Sequence, residues 1–175
     1  MDAETLRAEG DRLRDARAWS RAARAYSDHL ALRPDAHGIR VQLGHCLKEA
    51  GAVEEALGHY RAAGEAMPED ADLPVQIGHA LKLLGRAAEA ADAYGQALLR
   101  DPSRADAAAE ISALLERLPV PEAPVLVLGM AGAAVVSALP DAVFGAWDEE
   151  AGRFGWLPAP LALHRAATGA PPPPT

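Results

Sequence analysis

The side chains best suited to chemistry are His45, His79, Cys46 and two lysines, Lys48 and Lys82. Imidazoles and thiolates bind metals, and a thiolate beside a base is a nucleophile. The histidines hold equivalent places in successive units 34 residues apart, so no converging ligand set and no metal are expected. Cys46 directly follows His45, and adjacent residues of a helix point in different directions, so it reads as a small buried hydrophobe. Glu54-Glu55, Glu69-Asp70 and Asp148-Glu149-Glu150 pair acids as general acid–base sites do, yet they fall at helix starts or in loops. For the first pair, favourable interaction with a helix dipole is the simpler account. Gly129-Met130-Ala131-Gly132 sits where a phosphate-cradling turn would, without Gly-x-Gly-x-x-Gly spacing or a Lys-Ser/Thr ending. No catalytic residue and no cofactor are expected.

Charge narrows the partners. Asp and Glu total 25 against 17 Lys and Arg, a net charge of −8, which repels a phosphate backbone and argues against nucleic acid. The uncharged run Val125–Leu139 is shorter than the roughly 20 residues of a bilayer span, so no membrane helix is expected. A lone cysteine forms no internal disulfide, and MDAETLRAEG has no apolar secretory core, which together point to the cytoplasm.

The elements that carry these residues repeat. Pro34, Pro68 and Pro102 are spaced by 34, as are Tyr26, Tyr60 and Tyr94, Ala22, Ala56 and Ala90, and Gly10, Gly44 and Gly78. Within a unit, Leu43, Leu47, Ala56 and Tyr60 recur at helical spacings, so each unit is two helices. Gly51 and Gly85 mark the turn within a unit, and the prolines end the second helix. Helices are predicted over 3–16, 19–32, 37–50, 53–66, 71–84, 87–100 and 105–117.

Leu43-Gly44, Leu47, Gly51, Ala56, Tyr60, Pro68 and the copy Ile77-Gly78, Leu81, Gly85, Ala90, Tyr94, Ala97-Leu98, Pro102 closely resemble the tetratricopeptide repeat (TPR). The first unit departs from it with Glu9 at an apolar position and Arg17 at the turn glycine, as terminal repeats often do. The resemblance implies a mainly α fold: a right-handed superhelical stack of three repeats (3–36, 37–70, 71–104) and a capping helix, 105–118.

The resemblance also implies a concave groove lined by the first helices. Its positions fall on Arg7, Asp11 and Arg14, on Gln42, His45 and Lys48, on Gln76, His79 and Lys82, and on Glu110 with Ala113 of the capping helix. Gln-x-x-His-x-x-Lys steps by three along one side of a helix and is duplicated, giving polar rows across the groove. Gln and neutral His suit a peptide backbone, and Lys suits carboxylates. The chain contains no Asn, which speaks against the family's carboxylate clamp for chaperone tails.

After Leu118 the period stops. Pro119–Pro124 reads as a stiff linker, Val125–Gly129 as a buried strand entering a turn and Ala131–Leu139 as a short apolar helix. A hairpin near Trp147–Trp156 follows, with the three aromatics Trp147, Phe154 and Trp156 packing on the repeats. Residues 125–168 are thus a small α/β-like extension with a βα-like start, and 169–175 a disordered proline-rich tail. The stretch from Pro124 to Ala146 is similar to the start of bacterial sulfotransferase domains that follow TPR modules, but has Ala131-Gly132-Ala133-Ala134 at the sulfate-donor loop. Leu-Gly-His-x-Leu-Lys likewise resembles N-terminal TPR modules of bacterial glycosyltransferases. The expected function is a non-catalytic scaffold holding a protein or peptide in the groove. The alternatives are a truncated or degenerate TPR-linked transferase, which leaves the activity of the C-terminal remnant open, and a homo-oligomer built through the apolar 125–139 segment.

Overall fold

The computed structural model describes residues 1–115, 125–127, 143–148, 153–158 and 168. Among them are seven helices, α1 Ala3–Asp15, α2 Trp19–Leu32, α3 His37–Glu49, α4 Val53–Ala66, α5 Asp72–Leu83, α6 Ala87–Arg100 and α7 Ala105–Leu115. Three strands follow, β1 Val125–Val127, β2 Val143–Asp148 and β3 Arg153–Pro158. The first six helices end within about a residue of the expected bounds. The fold is mainly α, with helix pairs repeating every 34 residues and a short three-stranded sheet after them. The linker 119–124, the apolar helix 131–139 and the tail 169–175 lie outside the described residues.

Two compact units divide the chain, Met1–Arg86 and Ala87–Thr175. In the first, each helix from α1 to α5 packs on the next. The turn inside every repeat has one geometry. The Ala18, Ala52 and Arg86 amides donate to the Leu13, Leu47 and Leu81 carbonyls, while those of Arg17, Gly51 and Gly85 donate to Arg14, Lys48 and Lys82. Such paired bonds close a helix end when the residue past the cap is left-handed. Gly51 and Gly85 have φ of 87° and 74°, and Arg17 is held at 54° with a side chain that disfavours it. The second helices stop for another reason: Arg33 and Met67, at φ −135° and −128°, precede Pro34 and Pro68, whose rings exclude helical geometry one residue upstream.

The core is built from the repeated small and aromatic residues. Tyr26, Tyr60, Ala22 and Ala56 are fully buried. A Cβ added to Gly10 would stand 2.5 Å from Tyr26 Cε1, and one on Gly44 2.7 Å from Tyr60 Cε1, so these rings lie against bare helix backbone. His29, where the later repeats have Ala63 and Ala97, is also buried, its Nδ1 2.7 Å from the Ala3 carbonyl. Cys46 is wholly buried, and its thiol is pushed up by desolvation, matching a packing role. Glu54 and Glu55 stand in the first turn of α4, and Glu54 also meets Arg86 at 3.4 Å.

In the second unit α6 packs on α7, burying Tyr94, Ala97 and Leu98 of α6 and Ala107, Ile111 and Leu114 of α7. The strands form one sheet in the order β1-β2-β3. β1 runs parallel to β2, with Val125 opposite Val143, and β2 pairs antiparallel with β3, with Trp147 opposite Phe154. The hairpin is where the sequence places it.

Two substitutions test these local rules. Arg17→Gly relieves the left-handed strain and should raise stability by about 1 kcal/mol. Gly44→Ala forces the Tyr60 ring aside and should lower it by about 1–3 kcal/mol. Urea unfolding of the full chain measures both; a destabilising Arg17→Gly or a neutral Gly44→Ala contradicts the geometry.

Candidate functional site

The strip formed by the first helices within Met1–Arg86 carries nine of the eleven residues expected to line the groove. Its polar groups are built around the core tyrosines. The Tyr26 and Tyr60 rings cross under their first helices at Gly10 and Gly44, and each hydroxyl meets the residue that follows the glycine. In the first repeat Tyr26 Oη donates to Asp11 Oδ1 at 2.7 Å. Arg14 Nη1 donates to Asp11 at 3.2 Å, to Tyr26 Oη at 3.4 Å and to Gln42 Oε1 of α3 at 3.2 Å. One guanidinium thereby ties α1, α2 and α3 together. Arg7 stands 3.9 Å from Asp11 and 3.8 Å from Glu4, on the exposed side of α1.

In the second repeat His45 takes the place of Asp11. Its Nδ1 lies 2.9 Å from Tyr60 Oη, and the imidazole meets the phenol edge-on, with centroids 5.4 Å apart. In the tautomer with the proton on Nε2, the hydroxyl donates to Nδ1. Burial, reinforced by the Lys48 and Arg14 charges, lowers the His45 pKa against the opposing pull of Asp72 and Glu49. Lys48 has only 18% of its side chain exposed, with its ammonium 3.9 Å from Glu49. Its stem lies along the protein while the charge stays at the surface.

On α5, Gln76 donates to Asp72 at 3.4 Å, His79 is half-buried and Lys82 is exposed. The other two, half-buried Glu110 and exposed Ala113, lie on α7 in the unit Ala87–Thr175. There the Tyr94 hydroxyl is pushed up by burial and by the Glu110 and Asp106 charges, and Arg104 beside Asp106 holds that carboxyl at about 2. The described residues hold no group of three or more His, Cys, Asp or Glu placed to share a metal ion.

Three features of the strip escape a reading of groove positions alone. The Tyr26 and Tyr60 hydroxyls belong to it, signalled by the polar residue that follows the repeat glycine, Asp11 or His45. Arg14, Lys48 and Lys82 are in register, a cation in the last turn of α1, α3 and α5. The register partner of Gln42 and Gln76 on α1 is Ala8, whereas Arg7 aligns with Val41 and Val75.

The half-buried His45 imidazole has a pH consequence. His59, on α4, is also lowered by burial, with Arg40 lowering it further and Glu55 opposing. Both histidines resist protonation in the fold, so stability present above the ordinary value of 6.5 is lost as pH falls through that value toward the folded ones. Urea midpoints should therefore decline from about pH 7.5 to 5.5, less steeply in His45→Gln. A midpoint that rises across this window, or an unchanged slope in the variant, rejects the assignment.

No protein-family model and no curated protein matches the chain. Solved structures do. The TPR domain of Arabidopsis OM64 superposes with a TM-score of 0.61 at 18% identity, over 66% of this chain and 96% of that one. The first TPR of Spaghetti (RPAP3), bound to the HSP90 peptide SRMEEVD, gives 0.61 at 16% identity, over 66% and 91%. MamA of Desulfovibrio magneticus gives 0.63 at 23% identity, over 66% of each chain. The repeated helix pairs of this chain have the TPR fold.

Proposed function

We propose that residues 1–118 form a protein-interaction module without catalytic activity of its own, whose α1/α3/α5 strip receives an extended segment of a partner polypeptide. The observation that carries this reading is the partly exposed polar row itself. Successive first helices present hydrogen-bonding side chains at matching positions, anchored from below by buried tyrosine hydroxyls. A strip held this way is ordered before a partner arrives, which lowers the entropic cost of binding. Gln42 and Gln76 offer both a donor and an acceptor to a peptide backbone, and the cations in the last turns offer charge. The RPAP3 domain, similar in fold, is a precedent in that it holds a peptide. Among the described residues no helix is long and apolar enough to cross a membrane.

Selecting a random displayed peptide library on the full chain tests the reading. Recovered peptides should bind the double variant Lys48→Glu/Lys82→Glu at least about tenfold more weakly, a loss of roughly 1.4 kcal/mol, while its helical circular dichroism is unchanged. Peptides that bind this variant and Gln76→Arg as well as the parent chain would place binding elsewhere and sink the groove.

A further inference from the structure

The exposed side of α2 carries a stripe that its sister helices do not share. Arg17, in the turn before the helix, and Arg21, Arg24, Asp28 and Leu32 follow one another at steps of three or four, so they lie along one side, and all are exposed. At the places of the three arginines α4 has Gly51, Glu55 and Gly58, and α6 has Gly85, Glu89 and Asp92, a glycine or an acid each time. Among the described residues Arg17, Arg21 and Arg24 have no hydrogen bond and no ion pair. The acids around them are engaged elsewhere. On α1, Glu4, Glu9, Asp11 and Asp15 pair with Arg7, Arg12 and Arg14, and Asp2 accepts the Thr5 amide. On α3, Glu49 pairs with Lys48, and in the turn before it Asp35 pairs with Arg33. On α4, Glu54 pairs with Arg86, and Glu55 acts on His59. Glu9, held low first by the Arg12 hydrogen bonds, also feels the Arg21 charge. Within the stripe Asp28 is the one acid, so three positive charges stand against one.

The fold has no use for this arrangement. Like charges three and four residues apart on a helix repel, and Arg21 stands in the first turn of α2, where the helix dipole favours the acid that α4 and α6 have at that place. At the far end of the stripe Leu32 is 53% exposed, one of three exposed large hydrophobics among the described residues, with Met1 and Leu83. It follows Arg21 by three helical turns on the same side, roughly 16 Å along the axis.

We propose that the exposed side of α2 is a second docking surface, which takes an acidic helical segment of a partner polypeptide, its carboxylates on Arg17, Arg21 and Arg24 and an apolar side chain on Leu32. The surface is separate from the α1/α3/α5 strip and does not rest on the groove reading. Unpaired guanidinium forks suit carboxylates, with two hydrogen bonds to each. Acids spaced like the arginines fall on one side of a partner helix, and the leucine gives that helix an apolar end point. Nucleic acid and an anionic bilayer spread their charge over an area that also meets the rest of a chain of net charge −8, whereas one segment laid along α2 meets the stripe alone.

Fluorescence anisotropy of the full chain tests it with labelled alanine-based helical peptides of one length. One carries Glu at the spacing of the three arginines and Leu at the spacing of Leu32, and a second has Gln in place of Glu. The acidic peptide should bind about tenfold tighter, and its advantage should shrink severalfold between low and high salt as the charges are screened. Arg21→Gln/Arg24→Gln should weaken the acidic peptide about fivefold or more without lowering the urea midpoint, and Asp28→Asn should strengthen it. Arg33→Gln, which removes a guanidinium already held by Asp35, should leave binding as it is. Equal binding of the two peptides, an unaffected Arg21→Gln/Arg24→Gln, or no binding of the acidic peptide each overturns the proposal. Loss of the peptide in Lys48→Glu/Lys82→Glu would put it on the strip and overturn it too. So would co-sedimentation with phosphatidylserine vesicles that depends on Arg21 and Arg24 and that the acidic peptide does not displace, since the surface would then meet a membrane.

Discussion

The fit of a tyrosine ring against a glycine of the preceding helix governs the rest of the first unit. Tyr26 and Tyr60 are fully buried, and neither Gly10 nor Gly44 has room for even a methyl group. That contact fixes how closely the two helices of a repeat approach, and it pins the ring so that its hydroxyl can emerge only next to the glycine. Interiors packed this tightly do not deform gradually, so a change at the notch is felt as a shift of the whole helix pair. Ala22 and Ala56, each with no exposed surface, keep the second helix close enough for the ring to reach.

From this constraint follows the chemistry of the strip. A hydroxyl delivered from the core needs a partner, and the residue after the glycine supplies it: a carboxylate in the first repeat, an imidazole in the second. Burial pushes the Tyr26 and Tyr60 hydroxyls up, so both remain protonated donors. Their partners then decide the local charge. Asp11 draws in Arg14, which reaches on to Gln42 and links neighbouring repeats, whereas neutral His45 leaves the strip over α3 less acidic.

Much of this was legible in the sequence because periodicity is a direct trace of helix pairing. The spacing of Gly44, Ala56, Tyr60 and Pro68 located both helices of a repeat and the turn between them. Arg17 was legible as a departure from the turn glycine, and its positive φ shows that the closing hydrogen bonds impose the conformation even on a residue that resists it. The Tyr26–Asp11 and Tyr60–His45 bonds were not legible, because a tyrosine at a core spacing says nothing of where its hydroxyl ends. The reach of Arg14 to Gln42 was hidden too, since it joins residues of different repeats through a side chain with many rotamers. Beyond the repeats the hairpin was legible through Trp147 and Phe154, while the parallel partnership of β1 and β2 depends on a pairing between distant segments that no local pattern encodes.

The cations at the ends of α1, α3 and α5 have a simple structural use, since positive charge favours a helix C-terminus by roughly 0.3–1 kcal/mol. That use does not explain how they differ. The backbone already satisfies the final carbonyls: those of Leu13, Leu47 and Leu81, and of Arg14, Lys48 and Lys82, all accept amides from the turn that follows. No ammonium is needed there as a hydrogen-bonding cap, and the dipole of each helix asks the same of all three. Yet Arg14 is enclosed by acids, Lys48 keeps one acid and a largely covered stem, and Lys82 is exposed beside an exposed leucine. A requirement common to every repeat would leave every repeat alike. The divergence lies on the surface, at a position the packing leaves open.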